Sequence, residues 1–446
     1  MIFPTFEFVI FFLLFITLWS FAKTEDYKLV CICCFNIVFY GFYSPVMLGY
    51  LVCWAGLLYL FTKYPSKANW IIIFSIYQIF FWKMIDAKIW LLPNGIIAPL
   101  GVSFFTFQGL TYILGILNKP AHLTQYHIKE PWAFLKVFSF VGFFPTVFSG
   151  PILRANKWEE NLKNPIQINN EILQRAFIFI AIGCLYKLCF SSIFHEYVLQ
   201  AYSNPKEESS LILLSGMYAY SLEIFHDFAG YSMMSIGISL LMGFNIPLNF
   251  NAPYFAKDIK EFWQKWHISL SSWLRDYIYF FLGGSKVNKN RQLTNVAIIM
   301  TLSGIWHGLS LNYLIWGLMH TAAIVFYHSR TKHFDINKYL SICLLFNYVS
   351  VAWIFFRSPD ANIAFDYIQQ MLRFTFSQKD FNFFLYGLII VCLAFQYFES
   401  FIISFLERAK IIYSNTFNFC LFWILIILMI LALSPAGMPP FIYFSY

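Results

Sequence analysis

Apolar runs near residues 5–22, 29–45, 46–62 and 69–82 follow one another, separated only by short patches carrying Lys23, Lys28, Lys63 and Lys67. As helices, at about 1.5 Å per residue, such runs cross or nearly cross a hydrocarbon layer about 30 Å thick. More follow near 94–117, 132–152, 176–200, 210–225, 230–247, 311–328, 339–356, 382–405 and 416–433, and a central one runs from Leu293 to Leu318. The sequence predicts an all-α polytopic membrane protein with about 11–13 membrane segments and interfacial helices. Only 12% of residues are charged and the mean hydropathy is +0.63, where a soluble domain carries about twice that charge. No polar stretch is long enough to build a soluble domain, so residues 1–446 are read as one integral-membrane domain. No internal repeat is visible.

The net charge of +8 is scattered through short loops. That is no nucleic-acid signal; Lys and Arg in short loops favour the cytoplasmic side. Residues Lys257–Arg291 hold seven basic and three acidic residues, which predicts a cytoplasmic location for them. The 55 Phe and 28 Tyr suit lipid-facing and interfacial surface. Cys31, Cys33, Cys34, Cys53, Cys184, Cys189, Cys343, Cys392 and Cys420 show neither metal-ligand spacing nor a disulfide framework. They read as small buried hydrophobes, and no metal is expected. No basic region precedes the first apolar run, so it is read as a first transmembrane helix and not as a cleaved signal. Pro99 and Gly101 predict a break in the run 94–117, and the polar stretch Arg154–Arg175 reads as a long loop.

The rest of the chain is organised around Phe262–His320, which opens FWQKWHISLSSWLRDYIYFFLGG and closes LSGIWHGLSLNYLIWGLMH. Wound as one helix, Ile259–Phe281 gathers Trp263, Trp266, Leu270, Trp273, Leu274, Tyr277 and Phe281 within about 80° of Trp263. Glu261, Lys265, Ser269, Ser272 and Asp276 take the other side, the pattern of a helix lying in a membrane interface. His267 falls about 40° from the apolar centre, on the buried face. By itself that position fits a working imidazole and a core histidine satisfied by a carbonyl equally well. His307 lies inside the run Leu293–Leu318, where an ionisable side chain costs about 2–3 kcal/mol or more and by default marks a functional site. Gly304 and Gly308, four apart, allow another backbone to approach.

Several catalytic patterns are absent: G-x-S-x-G, the P-loop, H-E-x-x-H and G-x-G-x-x-G. The adjacent His226 and Asp227 diverge on a helix and read as local polar contacts. The segment Phe262–Gly284 followed by Gly-Ile-Trp-His-Gly resembles the membrane-bound O-acyltransferase family, in particular its bacterial branch that acetylates extracytoplasmic polysaccharides such as alginate and peptidoglycan. PLGVSFFTFQGLTY, FFPTVFSGPILR, YSLEIFHDFAGYS with IPLNFNAPYF, WIFFR at 353–357 and the terminal PPFIYF carry the same resemblance. It departs at Met233 and Gly115, where that branch often has Asp.

The resemblance implies transfer of an acyl group from a thioester donor across the membrane, with His307 at the central catalytic position and His267 as the second histidine. The chemistry suits the residues. Acyl transfer to a hydroxyl needs a base for its proton and a group that holds the tetrahedral oxyanion, and an imidazole with a pKa ordinarily near 6.5 is a suitable base. His307 is expected to take the proton, and His267 to orient the donor or stabilise the oxyanion. Trp306, Arg275, Asp276 and Asn249 are supporting candidates, each equally consistent with a structural role. No bound cofactor is expected; acetyl-CoA is the expected donor substrate. The other implied partners are the bilayer of a bacterial inner membrane and a separate periplasmic acetyltransferase or esterase-like protein. A D-alanyl transferase using a carrier-protein thioester, and a transporter, are the alternatives.

Overall fold

The computed structural model describes residues 3, 5–64, 66, 68–87, 98–118, 132–329, 337–376 and 380–408. No strand occurs among the described residues, and the all-α architecture read from the sequence is the one observed. The run at 416–433, Cys420 and the terminal PPFIYF lie outside them.

The early runs become α1 (Phe6–Ser20), α2 (Glu25–Gly41), α3 (Pro45–Lys63) and α4 (Ala68–Asp86). The first three start where a hydroxyl side chain takes up an orphan N–H. Thr5 accepts from Phe8, Thr24 from Tyr27 and Ser44 from Met47, with Pro45 next to that cap. Then come α5 (Val102–Asn118), α6 (Ala133–Val141) and α7 (Ala155–Lys163). The break expected at Pro99–Gly101 is the start of α5. Gly101 has φ +75°, and a Cβ there would sit 2.4 Å from the Val147 carbonyl oxygen. Part of the stretch read as a loop, Arg154–Arg175, is helical in α7. Its Trp158 and Leu162 are buried four apart, an amphipathic signal hidden among charges.

Next, α8 (Asn170–Cys184) passes through a π-helical turn, Leu185–Ser191, into α9 (Ser192–Ser203), and α10 runs unbroken over Ser210–Leu241. The two runs expected at 210–225 and 230–247 are therefore one helix. Gly230 does not interrupt it but makes room, because a Cβ there would meet Gly183 O at 2.8 Å and Lys187 N at 3.0 Å. The chain goes on through α11 (Ile259–Lys265), α12 (Ile268–Leu274), α13 (Lys289–His307), α14 (Leu311–Ser329), α15 (Lys338–Arg357), α16 (Ala361–Met371) and α17 (Phe383–Arg408). Among the described residues four helical stretches are long and apolar enough to cross a membrane: Pro45–Lys63, Asn170–Ser203, Lys338–Arg357 and Phe383–Arg408.

The chain forms two compact units. One comprises residues 1–182 and 231–248, the other 183–230 and 249–446. In the first, buried amides pin apolar helices. The Asn36 amide donates to Ser139 O and its oxygen accepts from Phe144 N, while Gln108 donates to Thr146 at 3.0 Å. Met233 is buried in the part of α10 that belongs to this unit. The reading of the cysteines as buried holds for Cys31, Cys33, Cys189 and Cys392 but not for Cys34, Cys53 and Cys343, which are exposed. A lipid-facing position is as apolar as a core one, so composition does not separate the two.

Candidate functional site

Both histidines of interest lie in the second unit. The continuous amphipathic helix expected over Ile259–Phe281 is instead α11, α12 and a π-helical turn at Arg275–Tyr279. Helix α11 ends because Trp266 is extended and His267 is left-handed, with φ 43° and ψ 54°. A non-glycine residue in that region stores about 1–3 kcal/mol of strain and persists only where its surroundings fix it.

Asn249 does the fixing. Its backbone oxygen accepts from Ile268 N at 2.9 Å. Its side-chain oxygen receives Ser269 N at 3.2 Å, Ser269 Oγ at 2.9 Å and lies 3.1 Å from His267 Nδ1. The Phe228 ring stands edge-on to the imidazole at 4.6 Å. His267 is 1% exposed, so the wheel aimed it correctly although the helix is broken. Burial pushes its pKa down to about 3. Beyond the break the wheel holds for Leu270 and Trp273, which are buried, and fails for Ser269, buried on Asn249, and for Phe281, 87% exposed.

His307 is the last residue of α13. At Gly308 the backbone becomes extended, and the chain turns into α14. The run Leu293–Leu318 is thus a tight hairpin and not one span. Apolar content alone did not reveal the turn at 308–310, whose polar anchor is Asn312. That side chain donates to Phe355 O at 3.1 Å and Ser358 O at 2.7 Å. The glycines allow the close approach their spacing predicts. A Cβ at Gly304 would lie 2.5 Å from Tyr313 O, and one at Gly308 would lie 2.3 Å from the Tyr313 ring.

The imidazole of His307, 8% exposed, is walled by Trp306 at 4.5 Å, Phe356 at 4.8 Å and Trp316 edge-on at 5.2 Å. Trp316 stacks on Trp353 at 5.7 Å, and Trp353 meets Trp266 at 5.1 Å. One run of touching rings therefore joins His307 to the residue beside His267. Trp306 and Asn249 belong to this arrangement. Arg275 and Asp276 do not: they pair with each other at 2.9 Å on the surface, with side chains 60% and 36% exposed.

Sequence reasoning passed over His320, which closes the same stretch. It lies four residues after Trp316 on α14, fully buried, its ring 4.7 Å from Trp316 and 5.0 Å from Trp263. Neither ring nitrogen has a hydrogen-bond partner among the described residues. An apolar ring of similar shape removes that unmet demand. His320→Phe is therefore expected to keep or raise the thermal midpoint of the purified protein; a fall of several degrees in a thermal-shift assay would show that the imidazole is satisfied.

Also passed over were two polar pairs formed between helices. Lys187 pairs with Asp227, Ser191 Oγ lies 3.5 Å from the same carboxylate, and His195 Nδ1 lies 2.7 Å from Glu223. Lys187, Ser191 and His195 are spaced by four, as are Glu223 and Asp227, so two helix faces meet. Nothing in either segment alone shows the match. His226 turns the other way, to Leu222 O at 2.7 Å, the local contact expected of it; Asp227 has a partner forty residues away in sequence.

Residues 99–355, which include both histidines, match the sequence profile described as MBOAT, membrane-bound O-acyltransferase family. The chain is 32% identical over 277 residues to a probable alginate O-acetylase of Pseudomonas syringae pv. tomato, covering 60% of this chain and 51% of that protein. It is 29% identical over 302 residues to a peptidoglycan O-acetyltransferase of Helicobacter pylori, covering 62% and 57%. To a teichoic acid D-alanyltransferase of Bacillus subtilis it is 32% identical over 282 residues, covering 59% and 70%. The chain spans about half the length of the alginate and peptidoglycan relatives it matches.

Proposed function

Because this chain belongs to the membrane-bound O-acyltransferase family, we propose that it transfers an acetyl group from cytoplasmic acetyl-CoA toward hydroxyls of an extracytoplasmic polysaccharide of the alginate or peptidoglycan class. A separate periplasmic protein completes delivery, and the site of action is the inner membrane. The observation that carries this reading is that His267 and His307 fall inside the matched region and are joined by one run of aromatic rings, from Trp316 through Trp353, Trp266 and Phe250 to Phe228.

In this mechanism the acceptor oxygen attacks the thioester carbonyl carbon. The C–O bond forms, the C–S bond breaks, and the hydroxyl proton passes through His307 to the departing thiolate. His267, held in place by Asn249, either orients a substrate or steadies the oxyanion. Trp306 and Phe356 wall the imidazole of His307 and exclude water from the reacting carbonyl. Arg275 and Asp276, exposed and paired, are given no part in the chemistry.

The similarity to teichoic acid D-alanyltransferases favours a second reading, D-alanyl transfer from a carrier-protein thioester. Proteoliposomes supplied with either donor separate the two. Release of CoA thiol from acetyl-CoA supports the first and deacylation of the D-alanyl carrier the second; neither sinks both. His267→Ala is expected to reduce turnover by about 10–100-fold, less than loss of His307, since positioning groups contribute less than the proton acceptor. An unchanged rate would remove His267 from the site.

A further inference from the structure

The hydrogen bonds around Asn249 settle a proton. Ser269 N is a backbone amide and can only donate, so the Asn249 atom facing it at 3.2 Å is the side-chain oxygen and not the nitrogen. Ser269 Oγ, at 2.9 Å, points to the same atom. His267 Nδ1 lies 3.1 Å from that oxygen, and two lone pairs do not face each other at such a distance. Nδ1 therefore carries the hydrogen. In the neutral ring Nε2 then carries only a lone pair.

We infer that His267 works as a hydrogen-bond acceptor through Nε2, receiving an uncharged N–H or O–H of the substrate, and that Asn249 is the positioning residue that imposes this tautomer. The inference rests on the acyl-transfer reading of the site and narrows it. Of the two tasks that reading leaves for a second histidine, holding an oxyanion requires an N–H, and this ring has none to offer there. Orienting a substrate requires only an acceptor. Two groups fit: an amide N–H of the thioester arm, which coenzyme A and acyl-carrier proteins share, and the hydroxyl of the sugar acceptor. The geometry adds a second support. The left-handed backbone at His267 and the three contacts on Asn249 Oδ1 fix the ring's direction before any substrate arrives.

The test is solid-state 15N spectroscopy of histidine-labelled full-length protein in lipid bilayers, with the His267 signals identified by their loss in His267→Gln. The expected spectrum has Nδ1 protonated and Nε2 bare near neutral pH. A protonated Nε2 overturns the inference. Two probes distinguish the source of the donated hydrogen: S-acetyl-N-acetylcysteamine, a thioester with an amide N–H and no hydroxyl, and methyl β-D-glucopyranoside, which has only hydroxyls. The Nε2 signal should shift with one of them, and a shift with neither overturns the acceptor role. Running both on His307→Ala removes turnover. A shift there with no transfer by the wild type would defeat the proposed reaction and leave this inference standing. Asn249→Ala is expected to mix the two tautomers and to raise the KM of whichever substrate shifts Nε2 by about tenfold with a smaller change in kcat. An unmixed tautomer in that variant removes Asn249 as the positioning residue; if the variant does not fold, the wild-type spectra alone decide the acceptor role.

Discussion

His307→Ala should lower acyl transfer by about 10²–10⁴-fold, the usual contribution of a positioned general base, while the protein still inserts and folds. The structure supports that separation. The hairpin carrying His307 is held by the contact of Gly304 with Gly317 and by Asn312 on two backbone carbonyls, none of which uses the imidazole. Thiol release from acetyl-CoA in proteoliposomes, read beside a thermal midpoint, checks both halves. Transfer near the wild-type rate would show that His307 is not the base. A collapsed midpoint would show that its packing against Trp306, Trp316 and Phe356 matters more than its chemistry.

The second large effect is on stability. Lys187 and Asp227 are buried together, with side chains 3% and 1% exposed. Removing one partner leaves a buried charge without its counter-ion, and Lys187→Met is expected to cost about 3–5 kcal/mol. The double variant Lys187→Met with Asp227→Leu removes both charges and should recover most of that loss. Urea or thermal denaturation in one detergent across the four proteins of the cycle measures it. Additive losses would mean that the two side chains do not act as a pair.

Runs of apolar residues gave the early helices to within a few positions, because length and hydropathy leave a membrane chain few options. Breaks within runs were harder. The turn between α13 and α14 contains one glycine and a serine, and its anchor, Asn312, acts on carbonyls more than forty residues away in sequence. The fracture at His267 was invisible to a helical wheel. The left-handed histidine is held by Asn249, eighteen residues earlier in the chain. His307 and His267 stood out as candidates because imidazoles are out of place in such surroundings and because their motifs resemble a known family. Asn249 and Trp306 were legible only as neighbours in those motifs. Arg275 and Asp276 looked equally good in sequence; only their exposure separates them. Asp227 read as a local contact beside His226, and its pairing with Lys187 could not be read at all, since a buried pair exists only once two helices have met.

The close contact of α13 and α14 also bears on how His307 is held. A methyl group at Gly304 or Gly317 would press within about 3 Å of backbone oxygen on the opposite helix, so glycine at both positions is what lets the two helices pack backbone to backbone. His307 therefore stands on a fixed post. What borders its imidazole is a set of side chains, the rings of Trp306, Trp316 and Phe356, so bulk added to any of them would press on the imidazole directly.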